Sequence, residues 1–330
     1  MFRILFALLK LAVVVVLGLA VFGVWKAHQG IAELETLDPR DGAPGRFVSV
    51  GGYEMHVREW GDPSSPPLLL LHGFGAAAGT ELANLGARMG ERFHVIAPDM
   101  LGMGRSERVV EPGAWYGIRQ RAARMPRVLN ELNVDGPAAV MGTSFGGAVA
   151  LQLALDHPQR VKRLVLVDAQ AMELGGGVFQ WLGSLPLGLG TSLSYLGQGG
   201  GSVERAHADY EKACASDGPC PERSQAESEW AMRRIRGTSQ AFRAISASSL
   251  DARIPADLSQ VGAETLVVWG SDDPWIPLEQ GRRLAEIIPN ARLEIIDQAG
   301  HAPYKDQPET VAALMTGFLA EPVAEAASGN

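Results

Sequence analysis

An α/β fold, with a mostly parallel β-sheet flanked by helices, is predicted for this chain by three observations. Short apolar runs without alternation recur along it, among them LLLL at 68–71, AAVMG at 138–142 and TLVVWG at 265–270, as strands buried on both faces of a parallel sheet require. Patterns of helical period fall between these runs, and strands alternating with helices imply βαβ crossovers. The composition agrees, because 46% of the 330 residues are apolar, which excludes a disordered chain, and glycine follows no fixed period, which excludes a collagen-like one.

The chain opens on a segment of a different kind. From Ile4 to Trp25 it reads ILFALLKLAVVVVLGLAVFGVW, with Lys10 as its only charge. At 1.5 Å per residue such a helix spans the roughly 30 Å hydrocarbon core of a bilayer. Lys10 is near enough to one end to lift its ammonium to the interface, and Trp25 marks the other. Residues 1–30 are therefore expected to form an N-terminal membrane anchor, the apolar stretch being longer than a cleaved signal sequence uses; cleavage after a small residue such as Ala20 is the alternative. The bias of Arg3 and Lys10 over Lys26 is slight, and it places the N-terminus inside and the rest of the chain outside the cytoplasm.

Residues 31–46 are charged and rich in Pro and Gly, the composition of a solvated linker. FVSV and YEMHVREW then alternate on either side of Gly51-Gly52, which predicts a β-hairpin. Buried strands follow at 68–71, 94–98, 138–142, 163–168, 265–270 and 291–297, with helices near 79–90, 115–132, 146–156, 278–288 and 308–320. The rhythm breaks once, where about 95 residues separate Asp168 from Thr265, too many for a bare loop in a compact domain. The organisation expected is a core in two parts, 47–170 and 263–320, interrupted by a mostly helical lid at 171–262 and closed by a tail at 321–330. Cys214 and Cys220 flank a turn-forming ASDGP; they either close a small disulfide loop or remain thiols.

The chemistry-bearing residues fall at strand ends. Gly142-Thr143-Ser144-Phe145-Gly146 follows the strand AAVM directly and precedes a helix. A serine on so tight a turn needs small neighbours, which Gly142, Gly146 and Gly147 supply, and it sits where free helix N–H groups stabilise developing negative charge. A serine hydroxyl needs a base, and an imidazole needs a carboxylate to fix its tautomer. His301, in AGHAP beyond the strand ARLEIID, is the candidate base. The candidate acids are Asp273 and Asp272 in the loop after TLVVWG, with Asp273 favoured because two adjacent carboxylates cannot both point at one imidazole; Asp168, at another strand end, is a third. The backbone N–H groups of Phe74, in His72-Gly73-Phe74-Gly75, and of Phe145 are candidates for an oxyanion hole, with His72 organising its loop.

With HGFG, PDMLGMGRS (98–106), GTSFGG (142–147), WGSDDPWIP (269–277) and AGHAPYKDQPE (299–309) in this order, residues 47–320 resemble the α/β-hydrolases that carry a lid. The resemblance implies Ser144 as nucleophile, His301 as base, Asp273 as the orienting acid, the Phe74 and Phe145 amides as oxyanion donors, and a structural turn at Asp99 and Arg105. It also argues against epoxide hydrolases and haloalkane dehalogenases, which use an aspartate where this chain has Ser144. The expected function is a serine carboxylic-ester hydrolase acting on small acyl esters or lipids, with monoacylglycerols among them, since an anchor before such a domain is similar to membrane-anchored monoacylglycerol lipases. A carbon–carbon bond hydrolase with the same triad is the alternative, and a non-catalytic binding protein of the same fold a third reading. No metal or organic cofactor is expected. A net charge of −8 excludes a nucleic-acid partner, because binding a phosphate backbone uses clustered Lys and Arg.

Overall fold

The computed structural model describes residues 33–75, 77–109, 116–171, 202–214, 223–249 and 257–321, together with a few single positions before residue 30. Eight strands among these residues form one sheet: β1 (Arg46–Val50), β2 (Tyr53–Trp60), β3 (Pro67–Leu71), β4 (His94–Pro98), β5 (Ala138–Thr143), β6 (Val161–Val167), β7 (Glu264–Gly270) and β8 (Ala291–Ile296). Their spatial order is β1-β2-β4-β3-β5-β6-β7-β8. β1 and β2 form the antiparallel hairpin expected at Gly51-Gly52, whose φ values of 62° and 88° suit glycine in a tight hairpin turn. β2 pairs antiparallel with β4, and every later pairing is parallel.

The helices are α1 (Ala78–Glu81), α2 (Ala83–Met89), α3 (Ile118–Glu131), α4 (Phe145–Asp156), α5 (Val203–Ala213), α6 (Arg223–Arg233), α7 (Thr238–Ser249), α8 (Leu278–Ile287), α9 (Pro303–Asp306) and α10 (Pro308–Ala320). The single helix expected over 79–90 is two, broken at Leu82. The first is pinned separately, because the Asp99 carboxylate accepts the Ala78 N–H at 2.7 Å. Side-chain alternation along the strands sorts the core into two layers. Leu69, Leu71, Val140, Leu166 and Val267 face α3 and α4, while Leu68, Leu70, Met141, Val165 and Val268 face α2 and α10. Each such side chain, fully removed from water, contributes about 1.5–3 kcal/mol.

β3 and β5 are neighbours, yet the chain leaves them toward opposite edges of the sheet. Their C-terminal ends therefore open the crevice in which parallel sheets place their sites. Leu71 is in register with Gly142, which sets the loop after β3 beside the turn after β5.

Between β6 and β7 the chain makes α5, α6 and α7; residues 172–201, 215–222 and 250–256 of the expected lid lie outside the described residues. α6 packs on α1, and Phe242 of α7 meets the Phe74 ring at 5.4 Å, so these helices stand over the same crevice. The stretch expected to be a solvated linker is instead docked in part on this insertion. Leu37 bridges to Ile235, and the Glu35 carboxylate accepts the N–H groups of Gly237 and Ser239 at 2.9 and 2.5 Å. The physical reason is that the first N–H groups of α7 need acceptors and favour a negative charge, which Glu35 supplies.

The membrane span expected over 4–25 lies largely outside the described residues. Those described within it, including Phe6, Val15, Val21, Phe22 and Trp25, are helical and exposed. Among the described residues no helix is long and apolar enough to cross a membrane. Cys214 is disulfide-bonded, and the chain's other cysteine, Cys220, lies outside the described residues.

Candidate active site

Ser144 stands between β5 and α4 with φ 49° and ψ −120°, a left-handed conformation that strains a residue carrying a Cβ by about 1–3 kcal/mol. Glycines on both sides hold it there. A Cβ on Gly142 would sit 2.3 Å from the Gly146 oxygen, one on Gly146 2.3 Å from the Leu71 oxygen, and one on Gly147 2.4 Å from Ala169 Cβ. The backbone of Ser144 is tied to β6 as well, its N–H donating to the Val167 oxygen at 3.0 Å. Phe145 is the first residue of α4, so its N–H has no intrahelical acceptor.

The loop after β3 approaches from the other side. A Cβ on Gly73 would lie 3.6 Å from Ser144 Cβ, and the Phe74 ring meets the Phe145 ring edge-on at 5.8 Å. Two contacts shape this loop. His72 is fully buried, with Nδ1 bonded to the Gly73 oxygen at 2.7 Å and Nε2 accepting the Met100 N–H at 2.9 Å. That pattern defines the neutral tautomer, and burial pushes the imidazole's pKa down. Glu81, at the end of α1, accepts the Gly73 N–H at 2.6 Å.

His301 lies between β8 and α9, and its Nδ1 bonds Asp273 Oδ2 at 2.7 Å, with the Asp273 side chain wholly shielded from solvent. The other oxygen of Asp273 accepts the N–H groups of Trp275 and Ile276 at 2.8 and 3.0 Å, which fixes the carboxylate's direction. Asp272 is exposed and bonded to the Ser271 hydroxyl at 3.0 Å, so of the two adjacent carboxylates the structure brings Asp273 to the imidazole. Trp275 packs on the His301 ring at 4.7 Å. The Tyr304 hydroxyl is hydrogen-bonded to the Thr143 side chain, which joins the helix after His301 to the residue before Ser144.

The third candidate acid, Asp168, is also here. Donor atoms of Asp168, Asp273 and His301 all lie within 4.8 Å of one another. Among the described residues this group gathers tightly enough to hold a metal ion, but His301 Nδ1 and Asp273 Oδ2 are already bonded to each other. Asp168 Oδ1 accepts the Gly270 N–H at 2.9 Å. Burial, reinforced by the Asp273 charge, holds its pKa well above the usual carboxylate range.

Some surrounding charge was invisible to sequence reasoning. Lys305 and Glu229 of α6 form a largely buried ion pair at 3.5 Å, joining the insertion to the segment that follows His301. Burial is the largest single influence and lowers the ammonium's pKa, but Glu229, Tyr304 and Glu81 together outweigh it and the Lys305 pKa is raised. Arg121 is buried with its guanidinium 5.4 Å from the Phe145 ring, and burial lowers its pKa to about 9. Neither Glu81 nor Lys305 falls in a recognisable spacing. Asp99, by contrast, plays the turn-forming part expected of it, bonding His56 at 2.8 Å and the Arg105 N–H at 2.7 Å.

Residues 66–308 match the family model described as the alpha/beta hydrolase fold. The chain belongs to the α/β-hydrolase family. Within this family it is a serine hydrolase, and it is similar to hydrolases of more than one chemistry. It is 32% identical to a 2-hydroxymuconate semialdehyde hydrolase of Pseudomonas putida, over 84% of this chain and 94% of that one. Its fold is similar to that of an esterase from Thermogutta terrifontis (TM-score 0.67, 22% identity, 83% of this chain and 97% of that one). It is also similar to that of a bacterial membrane phospholipase A (TM-score 0.67, 24% identity), which covers 97% of this chain and 98% of its own.

Proposed function

We propose that this α/β-hydrolase is a carboxylic-ester hydrolase working at a membrane surface, with acyl esters of small or medium chain length, monoacylglycerols among them, as substrates. The observation that carries the reading is the extent of the likeness to the membrane phospholipase A, which covers 97% of this chain where the esterase match covers 83%. The apolar segment at 4–25 supports it, since a tether concentrates the enzyme where lipid esters reside. The disulfide at Cys214 supports a catalytic domain outside the cytoplasm, because such bonds persist in oxidising compartments.

In this reading Ser144 Oγ attacks the ester carbonyl while His301 Nε2 takes its proton, and the Phe74 and Phe145 amides stabilise the oxyanion. The imidazolium, balanced by Asp273, returns that proton to the leaving alcohol. Water, deprotonated by the same imidazole, then releases the acid from the acyl-Ser144 intermediate. The cleft beside the site is lined by Gly75, Met103, Met232, Phe242 and Ile245, an apolar wall suited to an acyl chain.

A second reading, hydrolysis of a carbon–carbon bond in a dienoic acid, is favoured by the identity to the 2-hydroxymuconate semialdehyde hydrolase. That chemistry needs a cation for the substrate carboxylate. Two cations line the cleft, Arg108 and Arg233, and the Arg108 guanidinium donates to the Gly104 and Ser106 oxygens and to Thr238 Oγ1. The test is an acyl-length series of p-nitrophenyl esters run beside a 2-hydroxy-6-oxo-dienoate, with wild type, Ser144→Ala and a fluorophosphonate label. Ester turnover with a chain-length optimum, lost in the alanine variant and labelled at Ser144, is expected; faster cleavage of the dienoate would replace the ester reading with the second.

A further inference from the structure

Two carboxyl groups stand beside one imidazole in this site, and the hydrolytic roles use only one of them. Asp168 follows β6 with φ 42°, a conformation uncommon for a residue with a Cβ, and its side chain is completely buried. One oxygen, Oδ1, is held by the Gly270 N–H. The other, Oδ2, is buried and no donor reaches it. An ionised carboxylate so placed would leave a charged acceptor unsolvated in a dry site, an arrangement that is strongly unfavourable. The groups facing it are Asp273 from the loop after β7, His301 from the loop after β8 and Asp306 from α9. Two of the three are acids, and the imidazole is already matched by Asp273 at 2.7 Å. Two carboxylates within 4.8 Å of each other do not both ionise readily, so a single negative charge serves the pair.

We propose that Asp168 is a positioning residue: it stands as a neutral carboxylic acid whose Oδ2 carries the proton and donates it in a hydrogen bond to the Asp273 carboxylate, holding that group against His301 Nδ1. A buried carboxyl oxygen with no donor, in an acid that stands within 4.8 Å of a second acid, is where a proton shared between the two belongs. The arrangement gives Asp273 a fourth donor beside the Trp275 and Ile276 amides and His301 Nδ1. It keeps the charge on the acid that touches the imidazole and off the one that does not. The proposal rests on Ser144, His301 and Asp273 acting as the hydrolytic triad.

Asp168→Asn decides between the neutral and the ionised form, because the amide is isosteric, uncharged and can donate from the same place. The full chain is assayed on a p-nitrophenyl ester across pH, with fluorophosphonate labelling of wild-type Ser144 alongside. If Asp168 is neutral, D168N keeps kcat within about threefold and leaves the acidic-limb midpoint of kcat/KM within about 0.3 units of wild type. D168A, which removes the donor, lowers kcat about tenfold with KM little changed, an effect of the size seen when the partner of a site-orienting group is lost. Difference infrared spectra of wild type against D168N at neutral pH show a protonated carboxyl C=O stretch, a readout independent of turnover. A fall of about half a unit or more in the acidic-limb midpoint of D168N, absence of the protonated band, or an unaltered kcat in D168A would overturn the proposal. Labelling separates the two layers of the argument: an unlabelled wild-type Ser144 removes the triad reading itself, while a labelled one with a shifted D168N profile removes only the role of Asp168.

Discussion

At the scale of single residues, the site separates side chains of the same type by what surrounds them. Asp272 and Asp273 are adjacent, yet one is solvated and the other is shielded and bonded to His301. Asp273→Asn is therefore expected to lower kcat by about four orders of magnitude through loss of the correct imidazole tautomer, whereas Asp272→Asn stays within about twofold of wild type; ester kinetics measure both. The histidines divide the same way. His72 is locked neutral, so below its unfolded pKa of about 6.5 the unfolded chain takes up a proton that the folded chain refuses. Stability then falls as pH drops below that value. Thermal midpoints at pH 7.5 and pH 5 should differ in that direction, and His72→Gln, less stable throughout, should show a smaller difference. These assignments were half legible beforehand. The order Ser144, Asp273, His301 follows from the motifs, while the neighbour that shields an acid belongs to a distant strand and has no fixed spacing in the chain.

At the scale of elements, the strands and most helices were readable because each buries a face and so carries its period in its own residues. The insertion was readable only as an excess of length. Among the contacts that join it to the core is a pair of charges 76 residues apart, Lys305 and Glu229, and charges that distant leave no periodic trace. Removing one partner of a largely buried pair strands the other. Lys305→Met should destabilise the protein by about 3–5 kcal/mol, and adding Glu229→Met should recover more than half of that, as measured by urea unfolding. The docking of Glu35 on the first N–H groups of α7 belongs here too. A run of Pro, Gly and charge reads as solvated by composition, and composition does not register that an acidic side chain has a helix terminus to meet.

For the whole molecule, the claim to test is that the N-terminal segment delivers the enzyme to its substrate. A chain lacking residues 1–30 keeps Glu35 and its contacts with α7, so the catalytic domain should remain folded. The full chain should float with phospholipid vesicles and the shortened one should not. On a soluble p-nitrophenyl ester the two should agree within about twofold, while on monoacylglycerol embedded in vesicles the shortened chain should be slower by about tenfold or more, the tether acting as a local concentration. Equal rates on both substrates would count against a membrane-surface role.

The sequence by itself determined the α/β class, the order of the strand-end turns along the chain and the candidate serine and histidine, because these depend on local period and on glycines that a tight turn requires. The tertiary structure decided the rest: which of two neighbouring aspartates meets the imidazole, that Asp168 stands beside them with one oxygen unmatched, that Glu81 holds the loop of Phe74, and that Lys305 reaches into the insertion. Each of these is a contact between segments brought together by the crevice between β3 and β5 or by the ends of β6, β7 and β8. Burial and charge pairing act through space, and only the folded chain sets those distances.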